Sequence, residues 1–203
     1  MSKPNSDLSY QALDALKGNW GEAIAVTLIY GFIATCAGLL GALFPILPFA
    51  SVLIVAPLMV GVSIFYLSVI RGEKPLIEQL FEGFQFYLLT LGAYILILIF
   101  TFLWTLLLIV PGIIKALSYS MTPFIIADDP QTTAMDAIDK SMLMMNGYKW
   151  KLFVLYLWFL IVIIACLFTL GIGYLWAIPY MRATVAAFYE DVKYNADEMV
   201  YQS

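Results

Sequence analysis

The chain has 203 residues, 63% of them apolar and only 12% charged, with a net charge of −4. Soluble domains carry about twice that share of charge, so a water-soluble enzyme is excluded. No nucleic-acid partner is expected, although the net charge itself says little about partners. With no histidine and two cysteines, Cys36 and Cys166, each inside an apolar run, neither a histidine-based triad nor a histidine zinc site nor a disulfide framework can be drawn. We expect no enzymatic activity, no cofactor and no metal.

In chain order, a polar start leads through Leu16-Lys17-Gly18-Asn19-Trp20 into residues 23–70, which hold no charged side chain. Hydrocarbon about 30 Å thick takes roughly 20 residues of helix per crossing, so this block holds two crossings, interrupted at Pro45 and Pro48. The second block, residues 83–127, contains Lys115 as its one charge and is interrupted at Pro111-Gly112. The third, residues 152–189, contains Arg182 and is interrupted at Gly171 and Gly173. Proline lacks the amide proton and clashes with the preceding turn, and glycine supplies the left-handed conformation of a helix end. The pattern predicts an all-α membrane protein: six transmembrane helices arranged as three hairpins. They form one integral membrane domain over residues 1–203, with units at 7–74, 75–130 and 131–203.

A stretch too polar to cross precedes each hairpin and is patterned for an amphipathic helix in the interface plane. Before the second, Leu76, Ile77, Leu80, Phe81 and Phe84 fall on one face at α-helical spacing, with Pro75 suited to the first turn. Before the third, Met135, Ile138, Met142 and Met145 repeat at three- and four-residue steps, and Thr133 with Asp136 reads as a capping box.

The hairpins look like copies of one unit. Gly112, Ala116 and Tyr119 correspond to Gly173, Ala177 and Tyr180 at a constant spacing of 61, and Pro57 precedes Pro179 by twice that. Basic residues give the orientation: Lys3, Lys17, Arg71, Lys74, Lys140, Lys149, Lys151 and Lys193 all fall in the termini or in the second and fourth connections. By the positive-inside rule both termini are cytoplasmic, in a multi-pass protein of the cell membrane.

The run Pro111-Gly112-Ile113-Ile114-Lys115-Ala116-Leu117-Ser118-Tyr119-Ser120-Met121-Thr122-Pro123 is distinctive, as are Ala127-Asp128-Asp129-Pro130 and Met145-Asn146-Gly147-Tyr148-Lys149. Together they resemble an uncharacterised family of integral membrane proteins from Gram-positive bacteria, a domain of unknown function, along residues 13–191. The resemblance implies a bacterial plasma-membrane location and a multi-helix fold. It supplies no activity and no functional residue.

Chemistry is therefore sought in ionisable groups at membrane depth, which are costly and by default functional. Arg182 lies roughly 12–14 Å from either end of its crossing, near the midplane, and should have a partner or face water. Lys115 sits one turn inside an outer turn, where its stem can snorkel. Glu22 opens the first crossing and is a candidate ion-pair partner for Arg182. The fourth crossing places Lys115, Ser118, Tyr119 and Thr122 on one face, and the sixth carries Tyr180, Arg182 and Thr184. Were these helices to meet, they would form a cationic, hydroxyl-lined groove for a phosphate or carboxylate headgroup. The acidic ends Asp128-Asp129 and Glu190-Asp191 read as solvated helix termini. Two function classes follow: a protein that binds or translocates an anionic lipid or amphiphile, and a non-transporting scaffold or regulatory partner of an envelope-stress or export system, docking a protein through its cytoplasmic amphipathic helices.

Overall fold

The computed structural model describes residues 2–43, 48–169 and 171–201, and among them every regular element is helical. In order these are α1 (Asn5–Leu16), α2 (Trp20–Leu43), α3 (Pro48–Ile70), a 3-10 helix (Ile77–Phe86), α4 (Tyr87–Leu107), α5 (Ile109–Tyr119), α6 (Thr122–Asp128), α7 (Ala134–Met144), α8 (Lys149–Leu167) and α9 (Tyr174–Tyr201). Five stretches are long and apolar enough to cross a bilayer: Trp20–Leu39, Ser51–Ile70, Ile77–Leu107, Ile109–Asp128 and Lys149–Leu167. This is the build of a multi-pass membrane protein. The sixth expected crossing, α9, is not among the five: any membrane-length window in its 28 residues takes in Arg182, Glu190 and Asp191.

The chain breaks follow local chemistry. Pro45 lies outside the described residues, and Pro48 opens α3. The break in the second block falls at Leu108, whose extended backbone (φ −161°, ψ 143°) ends α4. Pro111 is consequently taken into the first turn of α5, where its missing amide costs nothing. Gly171 turns the chain before α9 with φ +85°, a conformation that suits glycine.

Two features differ from the expected pattern. The stretch before α4 is a ten-residue 3-10 helix, so its inward row repeats every three residues rather than at α-helical spacing. Leu80 and Gly83 are buried on that row, while Phe81 and Phe84 are turned out. The contact with α3 is backbone to backbone: a Cβ on Gly61 would run into the Leu80 carbonyl, and one on Gly83 into the Pro57 carbonyl. The second difference is the division of the fourth crossing into α5 and α6. Pro123 has no amide to give the Tyr119 carbonyl. The Ser141 hydroxyl of α7 donates to the Ser118 carbonyl at 2.7 Å and accepts from the Met121 amide at 3.2 Å. Of the expected capping box at the start of α7, the N-cap half is present, with the Asp136 amide donating to Thr133 Oγ1 at 3.2 Å, while the Asp136 carboxylate accepts from that same hydroxyl at 2.6 Å.

α3 is the most enclosed of the apolar stretches, 67% of its window being buried against 11% for the stretch that ends in α4. The core runs along α3 and α9 through Leu58, Phe65, Tyr66, Ala183, Ala187 and Phe188. Other helices close around it: α1 packs on α9, the 3-10 helix on α3, and α7 on α5 and α6. Likewise α2 packs on α9, α4 on α3, and α8 on α5.

A cationic cavity as candidate functional site

The helices α3, α6, α8 and α9 each add side chains to one cavity of about 650 Å³. Met59, Ser63 and Tyr66 come from α3, Ser120 and Phe124 from the α5–α6 junction, Tyr156, Phe159 and Leu160 from α8, and Met181, Arg182 and Val185 from α9. Arg182 is the sole formally charged residue of the lining. Its guanidinium carbon lies 5.5 Å from the centre of the Tyr30 ring, a cation–π contact. Among the described residues no carboxylate pairs with it. The Glu22–Arg182 ion pair is therefore not formed.

The remaining candidates lie apart from Arg182. Lys115 points its ammonium at the Trp104 ring, 5.0 Å from the centroid, and at Met142 Sδ, 3.8 Å away, on the α4–α7 side of the molecule. Tyr119 lies against Phe100, its ring 6.3 Å away at a tilt. Ser118 and Thr184 donate their hydroxyls to carbonyls of their own helices, Ile114 at 2.8 Å and Tyr180 at 2.8 Å. Thr122 is buried, its hydroxyl is without a partner, and it faces Thr90 and Tyr94 in a second, much smaller space. Tyr180 sits edge-on to Phe159 and lines a surface groove beside α1. The groove imagined between the fourth and sixth crossings is thus replaced by a cavity that reaches α9 from the α5–α6 junction. It retains Arg182 from the expected set and gains Ser120, Tyr66 and Tyr156.

One turn beyond the cavity lies an ionic cluster that the sequence reading missed. Arg71 Nη2 lies 2.6 Å from Asp128 Oδ1, and Arg71 Nε donates to Glu190 Oε1 at 2.8 Å. Lys193 Nζ and the Tyr189 hydroxyl both reach Asp128 Oδ2, at 2.6 and 2.7 Å. Burial alone would lower the pKa of Arg71, but hydrogen bonds and charge from Asp128 and Glu190 outweigh it and hold the guanidinium above its ordinary value. Tyr189 stacks on Phe124 at 5.3 Å, forming a floor between cavity and cluster. A neighbouring cluster centres on Asp191, which accepts from Lys151 Nζ at 2.8 Å and from the Lys3 amide at 3.0 Å. Asp128 and Asp191 are therefore not solvated helix ends: their side chains are 11% and 5% exposed. A signal for the first cluster was present, since Arg71 and Lys193 stand 122 residues apart, twice the spacing of 61.

Residues 106–196 match the model of a family described as Protein of unknown function (DUF975). The chain thus carries a stretch of an uncharacterised family that runs from the end of α4 into α9 and holds Lys115, Asp128, Arg182 and Glu190, but not Arg71. No curated protein and no solved structure matches the chain.

Proposed function

We propose that this membrane protein binds an anionic amphiphile, with the charged group of the ligand at Arg182 and its apolar part along the walls of the cavity. The observation that carries the reading is a guanidinium without a carboxylate, facing a space whose other walls are mainly aliphatic and aromatic. Leaving such a charge uncompensated away from water is costly, and a bound anion removes that cost. The volume, about 650 Å³, is in the range of small-molecule sites.

The frame for this site is six crossings in three hairpin units related by a threefold repeat, set in a bacterial plasma membrane with both termini cytoplasmic. The cyclic packing, in which the first helix of each unit leans on the closing helix of the unit before it and α2 returns to α9, supports the repeat. The gathering of Lys3, Arg71, Lys151 and Lys193 around Asp128 and Asp191 supports a common face for the two ends of the chain. The scaffold reading has less support, because Ile138 and Met145, which it needs as an open docking face, are fully buried against the chain itself. Native mass spectrometry of protein purified in mild detergent tests the proposal. An anionic adduct is expected on the wild type and absent from Arg182→Ala; an equal adduct on both would overturn it.

A further inference from the structure

The cavity accounts for the charge of its ligand, but its donors and its opening say more about the class of ligand. Ser63 donates to the Met59 carbonyl at 3.0 Å and Ser120 to the Leu117 carbonyl at 2.7 Å, both within their own helical segments. The Tyr66 hydroxyl is engaged with Thr27 at 3.1 Å. Tyr156 is different: its hydroxyl has no hydrogen-bond partner among the described residues, and it lies within electrostatic range of Arg182. The free donors facing the cavity are thus the edge of one guanidinium, whose face is covered by Tyr30, and one phenol.

We infer that the occupant is a single-chain amphiphile ending in a carboxylate, gripped by the Arg182 fork and the Tyr156 hydroxyl. The inference rests on the anionic-amphiphile reading above and narrows it. One cation balances one negative charge; a phosphate monoester, close to a dianion at neutral pH, would bring a second charge that no lining residue neutralises. A carboxylate presents two coplanar oxygens to the parallel N–H groups of arginine, and a single phenol completes the set. Tyr156 and Leu160 line the cavity and are 39% and 51% exposed, so the cavity reaches the surface at α8. The space therefore opens sideways beside α8 onto a surface that meets lipid, and an aliphatic chain enters along Leu160 and Ile163.

The test is equilibrium binding of radiolabelled palmitate to the full chain in detergent micelles, with unlabelled hexadecyl phosphate, hexadecanol and phosphatidylglycerol as competitors. Saturable binding is expected, displaced by palmitate and little affected by the other three. Arg182→Gln should weaken it by about tenfold or more and Tyr156→Phe by roughly three- to tenfold, as for the loss of hydrogen bonds to a charged group. Should Arg182→Gln fail to fold, Arg182→Lys retains the charge without the fork and should still weaken binding several-fold. Displacement by hexadecyl phosphate or phosphatidylglycerol as effective as that by palmitate would overturn the single-chain carboxylate assignment while leaving the anion site standing. Palmitate binding unchanged in Tyr156→Phe would remove the phenol from it. No saturable, Arg182-dependent binding of any anionic probe would overturn both inferences together.

Discussion

The Tyr189 hydroxyl donates to the Asp128 carboxylate at 2.7 Å across 61 residues of sequence, the same interval that separates Gly112 from Gly173 and Tyr119 from Tyr180. The bond ties α9 to α6 directly below the cavity, where Phe124 and Tyr189 stack. Asp128 also takes Arg71 from the end of α3, so one carboxylate joins three helices that line the site.

Asp128→Ala should consequently destabilise the protein by about 2–3 kcal/mol, because it strands Arg71, Lys193 and the Tyr189 hydroxyl together. This is below the full cost of breaking a buried pair, since Arg71 and Lys193 are each about a third exposed. Thermal unfolding in detergent measures it. A melting temperature equal to that of the wild type would show that the cluster carries no load.

Ser141→Ala should cost about 1–3 kcal/mol, the usual penalty for leaving buried backbone groups unsatisfied. The Ser118 carbonyl and Met121 amide at the α5–α6 break would lose their shared partner. Hydrogen exchange should accelerate at Met121 and leave the amides of α3 unchanged.

Gly61→Ala and Gly83→Ala each place a methyl group against a carbonyl oxygen of the facing backbone, so neither clash can be relieved by rotating a side chain. A loss of about 2 kcal/mol or more is expected for each, at the upper end of overpacking costs. Gly31→Ala, in open space on α2, is the matched control and should be near neutral.

Single cysteines replacing Glu73 and Ile172, both exposed in short connections, report sidedness in a background freed of Cys36 and Cys166. A membrane-impermeant maleimide should label Glu73→Cys from the cytoplasmic side and Ile172→Cys from the opposite one. Labelling of both from one side would rule out the hairpin arrangement.

Much of the helical layout was legible because a bilayer imposes a coarse rule: residues 23–70 could not avoid charge over that length in any other setting. Arg182 was conspicuous for the same reason. What escaped were contacts that leave no periodic trace. Tyr30 beneath Arg182 is one, since a cation–π pair between α2 and α9 has no characteristic spacing. The failure of Lys115 to join Arg182 is another: it follows from the lean of α5 towards α4 and α7, which one face of one helix does not reveal. The 3-10 geometry of residues 77–86 was hidden because Ile77, Leu80 and Phe84 also fit an α-helical face. The split at Ser120–Met121 depends on a serine twenty residues away.

The bond from the Lys3 amide to Asp191 spans 188 residues and seats α1 on α9. Its partners are thus made 188 residues apart in translation. At about 5–20 residues per second the first waits roughly 10–40 s for the second to leave the ribosome. Through that interval the apolar face of α1, with Leu8, Ala12 and Leu16, must be sheltered by lipid or by an insertion chaperone, and the contact locks only when α9 arrives.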